Sequence, residues 1–74
     1  MNIEVIGGKS CSYCEQTKKY LTEQGLPFTY KNVHEDPEAM KELKSQGFRK
    51  IPQIWIDGKH IGGFTELHTF LKDT

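Results

Sequence analysis

Two cysteines, Cys11 and Cys14, lie where a first apolar strand gives way to a first helix, and the 74-residue chain contains no others. The first N–H groups of a helix lack intrahelical partners and the macrodipole is positive there, so a helix start favours an anion. Cys11 is therefore the predicted thiolate, and the charge on Lys9 should lower its pKa further. Cys14 lies on the same side of the first turn, where it can form a disulfide with Cys11 or resolve a mixed disulfide.

The residues alone leave two other roles open for the cysteines, a structural disulfide and a zinc site. A structural disulfide would close a loop of only three residues and would remove little entropy from the unfolded chain. A zinc site needs four ligands, and His34, His60 and His68 lack the H-x3-5-H spacing that accompanies zinc-binding cysteines. We therefore predict a redox pair and no metal site. The histidines have no acid or nucleophile beside them, so we assign them no catalytic role.

Apolar periodicity and turn residues predict the element order βαβαββα. The first two strands are expected to be parallel, and the last two form an antiparallel hairpin around Asp57-Gly58. The predicted elements are a strand at Met1–Ile6, a helix at Tyr13–Gln24, a strand at Pro27–Val33, a helix capped by Asp36 and closed by Gly47, a hairpin within 51–63, and a last helix capped by Thr65. The predicted core is Ile3, Val5, Leu21, Phe28, Tyr30, Leu43, Ile54, Ile56, Leu67 and Phe70, with Trp55 packed in its strand.

The size and charge of the chain limit its other roles. The 74 residues predict one domain, 1–74, near the size at which a core alone gives marginal stability. Ten Lys and Arg balance ten Asp and Glu, so nothing favours nucleic acid or an anionic membrane as a partner. No apolar run approaches a membrane span, and the N-terminus lacks the pattern of a secretion signal. We expect a soluble, cytoplasmic monomer, and in that reducing compartment two cysteines fit a catalytic pair.

Three motifs in order carry a resemblance to the glutaredoxin family, of the thioredoxin fold, over essentially the whole chain. C-S-Y-C resembles the C-P-Y-C active site of that family, and I-P-Q-I-W-I-D-G-K-H-I-G-G resembles its V-P-Q-I-F-I-D-G-x-H-I-G-G block. G-G-F-T-E-L resembles the segment that opens its final helix. The resemblance implies an α/β fold with a four-stranded mixed sheet flanked by helices. It also implies a glutathione-dependent thiol–disulfide oxidoreductase that reduces protein disulfides and glutathione mixed disulfides.

The resemblance also implies roles for particular residues. Cys11 and Cys14 match the catalytic pair, and Pro52 matches a cis proline that leaves the backbone of Ile51 free to pair with glutathione. Lys9 and Arg49 are candidates for the glycine carboxylate of glutathione. The full set predicted to bind glutathione is Lys9, Tyr13, Arg49, Ile51, Pro52, Gly63, Phe64, Thr65 and Glu66.

Three departures from the family pattern leave alternatives open. Ser12 replaces the usual proline, and some relatives without that proline bind a [2Fe–2S] cluster between two subunits. Lys9 lies two residues before Cys11, whereas the usual lysine lies three before. The segment G-F-R-K-I-P resembles small glutaredoxin-like redoxins that take electrons from thioredoxin reductase and serve ribonucleotide reductase. The alternatives are therefore an electron donor of that kind and a cluster-binding scaffold.

Overall fold

Seven elements follow one another in the predicted order βαβαββα in the computed structural model, which describes residues 1–72. The strands are β1 (Ile3–Gly7), β2 (Thr29–Asn32), β3 (Gln53–Ile56) and β4 (Lys59–Gly62). The helices are α1 (Ser12–Glu23), α2 (Pro37–Ser45) and α3 (Phe64–Lys72). Within the described residues, no helix has the length and apolar character that crossing a membrane would require. The last two residues of the predicted domain, 73–74, lie outside the described part of the chain.

The four strands form one mixed sheet in the order β2-β1-β3-β4. As predicted, β2 is parallel to β1 and β4 is antiparallel to β3, while β3 pairs antiparallel with β1. The β3–β4 turn uses Asp57 and Gly58 with φ of 53° and 81°, the left-handed pair that a tight hairpin turn requires. The sheet is therefore the mixed four-stranded one that the resemblance implies.

Helices cover both faces of this sheet because side chains alternate between the faces along each strand. On one face, Val5 of β1 packs in a cluster with Leu21 of α1 and Leu67 of α3. On the other face, Ile6 packs in a second cluster with Leu43 of α2. The β1 strand is thus the centre of the core, and its carboxyl end leads directly into the cysteine pair.

The predicted core is confirmed for seven of its ten residues, which are buried. The other three, Phe28, Tyr30 and Phe70, are half-buried and pack against the edge of the first cluster. Phe28 and Tyr30 lie before or within β2, which has a neighbouring strand on one side only. Trp55 is only 8% exposed, as its predicted packing role requires.

The ends of the first two strands differ from the prediction. β1 continues to Gly7 because the carbonyl of Gly7 accepts a hydrogen bond from the N–H of Val33 at 2.8 Å. β2 begins at Thr29 and not at Pro27, because proline has no N–H to give to a ladder. The extra residue of β1 brings the strand to the glycine pair that precedes the cysteines.

The starts of the last two helices differ in how well the sequence predicts them. Asp36 caps α2 as predicted, and its carboxylate accepts a first-turn N–H at 3.0 Å. α3 begins at Phe64, so the prediction that Thr65 is its cap is wrong. The carbonyl of Gly63 accepts the first helical hydrogen bond at 3.0 Å, and the Gly63 N–H donates to the carboxylate of Glu66 at 2.8 Å. Gly63 and Glu66 thus form the cap between them, as in half of a capping box.

Candidate active site

Cys11 and Cys14 form a disulfide at the start of α1, with their Cα atoms 5.2 Å apart. Cys11 is the N-cap, and its sulfur accepts a hydrogen bond from the N–H of Cys14 at 3.2 Å. Cys11 is partly exposed, whereas Cys14 is completely buried. A substrate can therefore reach the sulfur of Cys11 but not that of Cys14. The Cys11 sulfur also lies at a helix start, which stabilises a thiolate. Cys11 is therefore suited to attack a substrate disulfide, and Cys14 is suited to resolve the mixed disulfide that results.

The loop between β1 and α1 is held by side chains from β2 and the segment after it. The hydroxyl of Tyr30 donates to the carbonyl of Gly8 at 3.1 Å, and burial raises the pKa of this hydroxyl above its ordinary value. His34 accepts a hydrogen bond from the N–H of Lys9 through Nδ1 at 2.9 Å. The sequence alone does not predict either role, because the partners lie 22 and 25 positions apart.

A shallow cleft of about 190 Å³ lies beside the disulfide, between α1, the start of α3 and the segment before β3. The Ile51–Pro52 peptide bond in its wall is cis, as the resemblance implies. The carbonyl oxygen of Ile51 lies 3.9 Å from the sulfur of Cys11. The exposed ring of Tyr13 lies 6.3 Å from the ring of Phe64. The cleft brings together seven of the nine residues predicted to bind glutathione, namely Tyr13, Ile51, Pro52, Gly63, Phe64, Thr65 and Glu66.

Two charged side chains, Lys50 and Glu66, line this cleft. The N-terminus of α3 also faces it, and the first N–H groups of a helix have no intrahelical partners. The cleft therefore offers donors and a cation for carboxylates, and an anion for an ammonium group.

The two remaining predicted residues, Lys9 and Arg49, do not line the cleft. The ammonium of Lys9 pairs with the carboxylate of Glu35 at 3.3 Å, and both side chains are exposed. Arg49 lines a separate groove next to His34. The cleft instead has Lys50, which the family pattern did not single out. Glutathione binding by Lys9 and Arg49 stays a prediction.

Gln53, also missed from the sequence, connects the cleft to the outer hairpin. Its side-chain N–H donates to the carbonyl of Lys50 at 3.0 Å, and its oxygen lies 2.7 Å from Nε2 of His60. The ring of His60 stacks on Phe48 with centroids 4.4 Å apart and planes 20° apart. His60 lies on the hairpin surface, as predicted. The contacts of His60 with Phe48 and Gln53 hold both ends of the segment 48–53, which forms one wall of the cleft.

The His, Cys, Asp and Glu side chains do not gather into a metal site in the part of the chain that the structure describes. No group of three or more His, Cys, Asp and Glu residues within 1–72 is arranged to hold a metal ion.

The sequence matches the family model for glutaredoxin over residues 3–61. Over 68 residues it is 32% identical to glutaredoxin 3 of Escherichia coli (strain K12), which covers 90% of this chain and 82% of that protein. Over 69 residues it is 39% identical to N-acetyl-S-hydroxy-L-cysteine reductase of Bacillus subtilis (strain 168), which covers 90% of this chain and 74% of that protein.

Solved structures match the fold with closely similar scores. The glutaredoxin-like protein NrdH-redoxin from Escherichia coli superposes with a TM-score of 0.79 at 32% identity, covering 89% of this chain and 87% of that one. The buckwheat glutaredoxin–glutathione complex superposes with a TM-score of 0.81 at 25% identity, covering 96% of this chain and 68% of that one. With its disulfide-forming cysteine pair and thioredoxin-like fold, the chain belongs to the glutaredoxin family of thiol oxidoreductases.

Proposed function

We propose that this protein is a dithiol glutaredoxin, which reduces glutathione mixed disulfides and protein disulfides and is itself reduced by glutathione. The observation that carries the proposal is the position of the partly exposed Cys11 sulfur, next to a cleft whose lining includes seven residues of the predicted glutathione site. We further propose that a single domain acts as a monomer in the cytoplasm, where a reducing environment keeps the pair in its dithiol form between turnovers.

Reduction of a glutathione mixed disulfide uses Cys11 alone. The Cys11 thiolate attacks the glutathione sulfur, the substrate's S–S bond breaks, and the substrate leaves as a thiolate that takes a proton from water. The protein then carries glutathione on Cys11. A second glutathione thiolate attacks the sulfur of that bound glutathione, which yields glutathione disulfide and regenerates the Cys11 thiolate.

Reduction of a protein disulfide uses both cysteines. Cys11 attacks one substrate sulfur and forms an intermolecular disulfide, while the other substrate sulfur leaves as a thiolate. Cys14 then attacks the sulfur of Cys11, which releases the second substrate thiolate and leaves the disulfide seen in the structure. The burial of Cys14 suits it to this internal step, because no external disulfide reaches it.

The cleft supports glutathione as the reductant through complementary charge. Glutathione is an extended tripeptide with a carboxylate at each end and one ammonium group. Lys50 and the first N–H groups of α3 suit the carboxylates, and Glu66 suits the ammonium. The backbone next to Pro52 can pair with the extended peptide, so its sulfur would face Cys11.

A second candidate function is an electron donor for ribonucleotide reductase that thioredoxin reductase reduces. Two observations favour it: the segment from Gly47 to Pro52 has the G-F-R-K-I-P pattern, and NrdH-redoxin is 32% identical with a TM-score of 0.79. The serine at position 12, where the family usually has proline, is compatible with either candidate. The two differ in which donor reduces the Cys11–Cys14 disulfide.

A comparison of two reducing systems tests the proposal. NADPH oxidation is followed with a glutathionylated peptide as substrate, in one arm with glutathione and glutathione reductase and in the other with thioredoxin reductase alone. The proposed function predicts turnover in the first arm and little in the second. Turnover confined to the second arm would replace it with the second candidate. Lys50→Ala should raise the KM for glutathione in the first arm, whereas the control Lys59→Ala, outside the cleft, should not.

A further inference from the structure

A groove along α2 lies outside the cleft and is larger than it. It has a volume of about 700 Å³ and an apolar floor that includes Met40, Leu43, Phe48 and Ile51. A second depression of about 500 Å³ shares Met40 and Lys44 with it and continues along the helix. We call the two together the α2 groove. Together they extend from Pro37 at the start of α2 to Ile51.

The α2 groove begins at the redox centre. Ile51 lines both the groove and the glutathione cleft, and its carbonyl oxygen lies 3.9 Å from the sulfur of Cys11. The two sites therefore lie on opposite sides of the 48–51 segment. A polypeptide whose cysteine reaches Cys11 can extend into the α2 groove without entering the cleft.

The rim of the α2 groove is positively charged although the chain as a whole is neutral. Lys41, Lys44 and Arg49 line it, and none of them has a carboxylate within 4.0 Å in residues 1–72. The neighbouring acid Glu42 pairs with Lys31 at 3.4 Å. Among the other lysines, Lys9, Lys18, Lys19 and Lys31 each have a carboxylate partner, whereas Lys50, Lys59 and Lys72 have none within residues 1–72. The rim cations are thus available to an external anion.

We propose that the α2 groove binds a segment of the disulfide-bearing protein substrate, with an apolar side chain on the floor and acidic residues against Lys41 and Lys44. The inference rests on the proposed function, because it names the class of protein disulfide that Cys11 reduces. An apolar floor with a cationic rim is complementary to such a segment in both respects. Binding there would raise the association rate and would orient the substrate cysteine towards Cys11.

A single-turnover experiment tests this without any electron donor. The protein is reduced beforehand, freed of reductant and mixed with a peptide that contains an internal disulfide, and release of the peptide dithiol is followed after quenching. One peptide has a leucine and two glutamates beside the disulfide, and the other has a leucine and two lysines. The acidic peptide should react about tenfold faster at low ionic strength, and the difference should shrink at high salt.

Matched variants separate the groove from general charge effects. Lys41→Glu/Lys44→Glu should abolish the preference for the acidic peptide, whereas Lys19→Glu/Lys59→Glu, with the same change in net charge outside the groove, should keep it. Bis(2-hydroxyethyl) disulfide, which is too small to reach the groove, should react equally with all three proteins. Melting temperatures of the oxidised proteins establish that both variants fold.

The outcomes distinguish this inference from the function on which it rests. Equal wild-type rates with both peptides, or a preference that survives Lys41→Glu/Lys44→Glu, would overturn the groove assignment and leave the proposed function in place. A dimer that these two substitutions dissociate would assign the groove to a second copy of the chain. Failure of the wild type to reduce any of the three disulfides would overturn the proposed function itself.

Discussion

Replacement of His60 by alanine should weaken one wall of the cleft beside the disulfide, although His60 does not line the cleft. The ring stacks on Phe48 at 4.4 Å and lies 2.7 Å from the side-chain oxygen of Gln53. The side-chain N–H of Gln53 in turn donates to the carbonyl of Lys50 at 3.0 Å. An aromatic pair contributes about 0.5–1.5 kcal/mol and a hydrogen bond has a similar net value. Because His60 is exposed, the lower halves of these ranges apply, and His60→Ala should cost about 1–2 kcal/mol.

Urea unfolding of the oxidised protein and steady-state kinetics check this prediction together. Under the proposed function, the KM for glutathione should rise several-fold with little change in kcat, because residues 50–53 line the cleft but carry no reacting atom. His60→Phe keeps the stack and should recover part of the stability, and Lys59→Ala on the same strand should change neither quantity. A loss of stability with an unchanged KM would refute the positioning role. An unchanged stability would refute the energetic reasoning.

Three further substitutions test other parts of the site. Gly7→Ala should destabilise the oxidised protein in urea by about 1–3 kcal/mol, because its Cβ would lie 2.9 Å from the ring of Tyr30 and 3.0 Å from the Cys14 sulfur. Tyr30→Phe should cost about 0.5–1.5 kcal/mol at neutral pH, since it removes the hydrogen bond to Gly8. Burial raises the folded pKa of Tyr30 above its ordinary 10.0, so this hydroxyl's contribution is constant below pH 10 and is lost as pH rises through the folded pKa. Unfolding at several alkaline pH values should show a gap between wild type and Tyr30→Phe that narrows in that range. Glu66→Gln removes the first-turn charge of α3 but keeps an amide oxygen as cap, so urea unfolding should show a loss of only about 0.3–1 kcal/mol, with a higher KM for glutathione.

The elements that the sequence predicts well are those with strong local signals. The Asp57-Gly58 turn, the Asp36 cap and the cysteine pair each depend on residues within one turn of chain, and each has its predicted structure. The αL conformation of Asp57 and Gly58 and the acceptor of Asp36 are properties of those residue types themselves. Local chemistry therefore fixes much of the topology.

The parts that the sequence does not predict depend on contacts between distant segments. Thr65 has the chemistry of a cap, but Glu66 reaches back to the Gly63 N–H and moves the helix start. The cation that lines the cleft is Lys50, whereas Lys9 lies outside it and pairs with Glu35. The path of the folded backbone determines which of these residues meet, and no local sequence pattern describes that path.

His34 and Tyr30 show the same limit for residues that hold the active-site loop. Their hydrogen bonds to Lys9 and Gly8 cross from the end of β2 and the segment after it to the cysteine loop. Read singly, a histidine without a neighbouring acid and a half-buried tyrosine carry no functional signal. Only the parallel pairing of β1 with β2 brings them to the site.

The central claim is that Cys11 attacks and Cys14 resolves, and one pair of variants tests it directly. Initial rates are measured with a glutathionylated peptide and with a protein disulfide for Cys11→Ser and Cys14→Ser. Cys14→Ser should keep the first activity and lose the second, because only the second requires a resolving thiol, and Cys11→Ser should lose both. Loss of both activities in Cys14→Ser, or reduction of either substrate by Cys11→Ser, would contradict this division of roles.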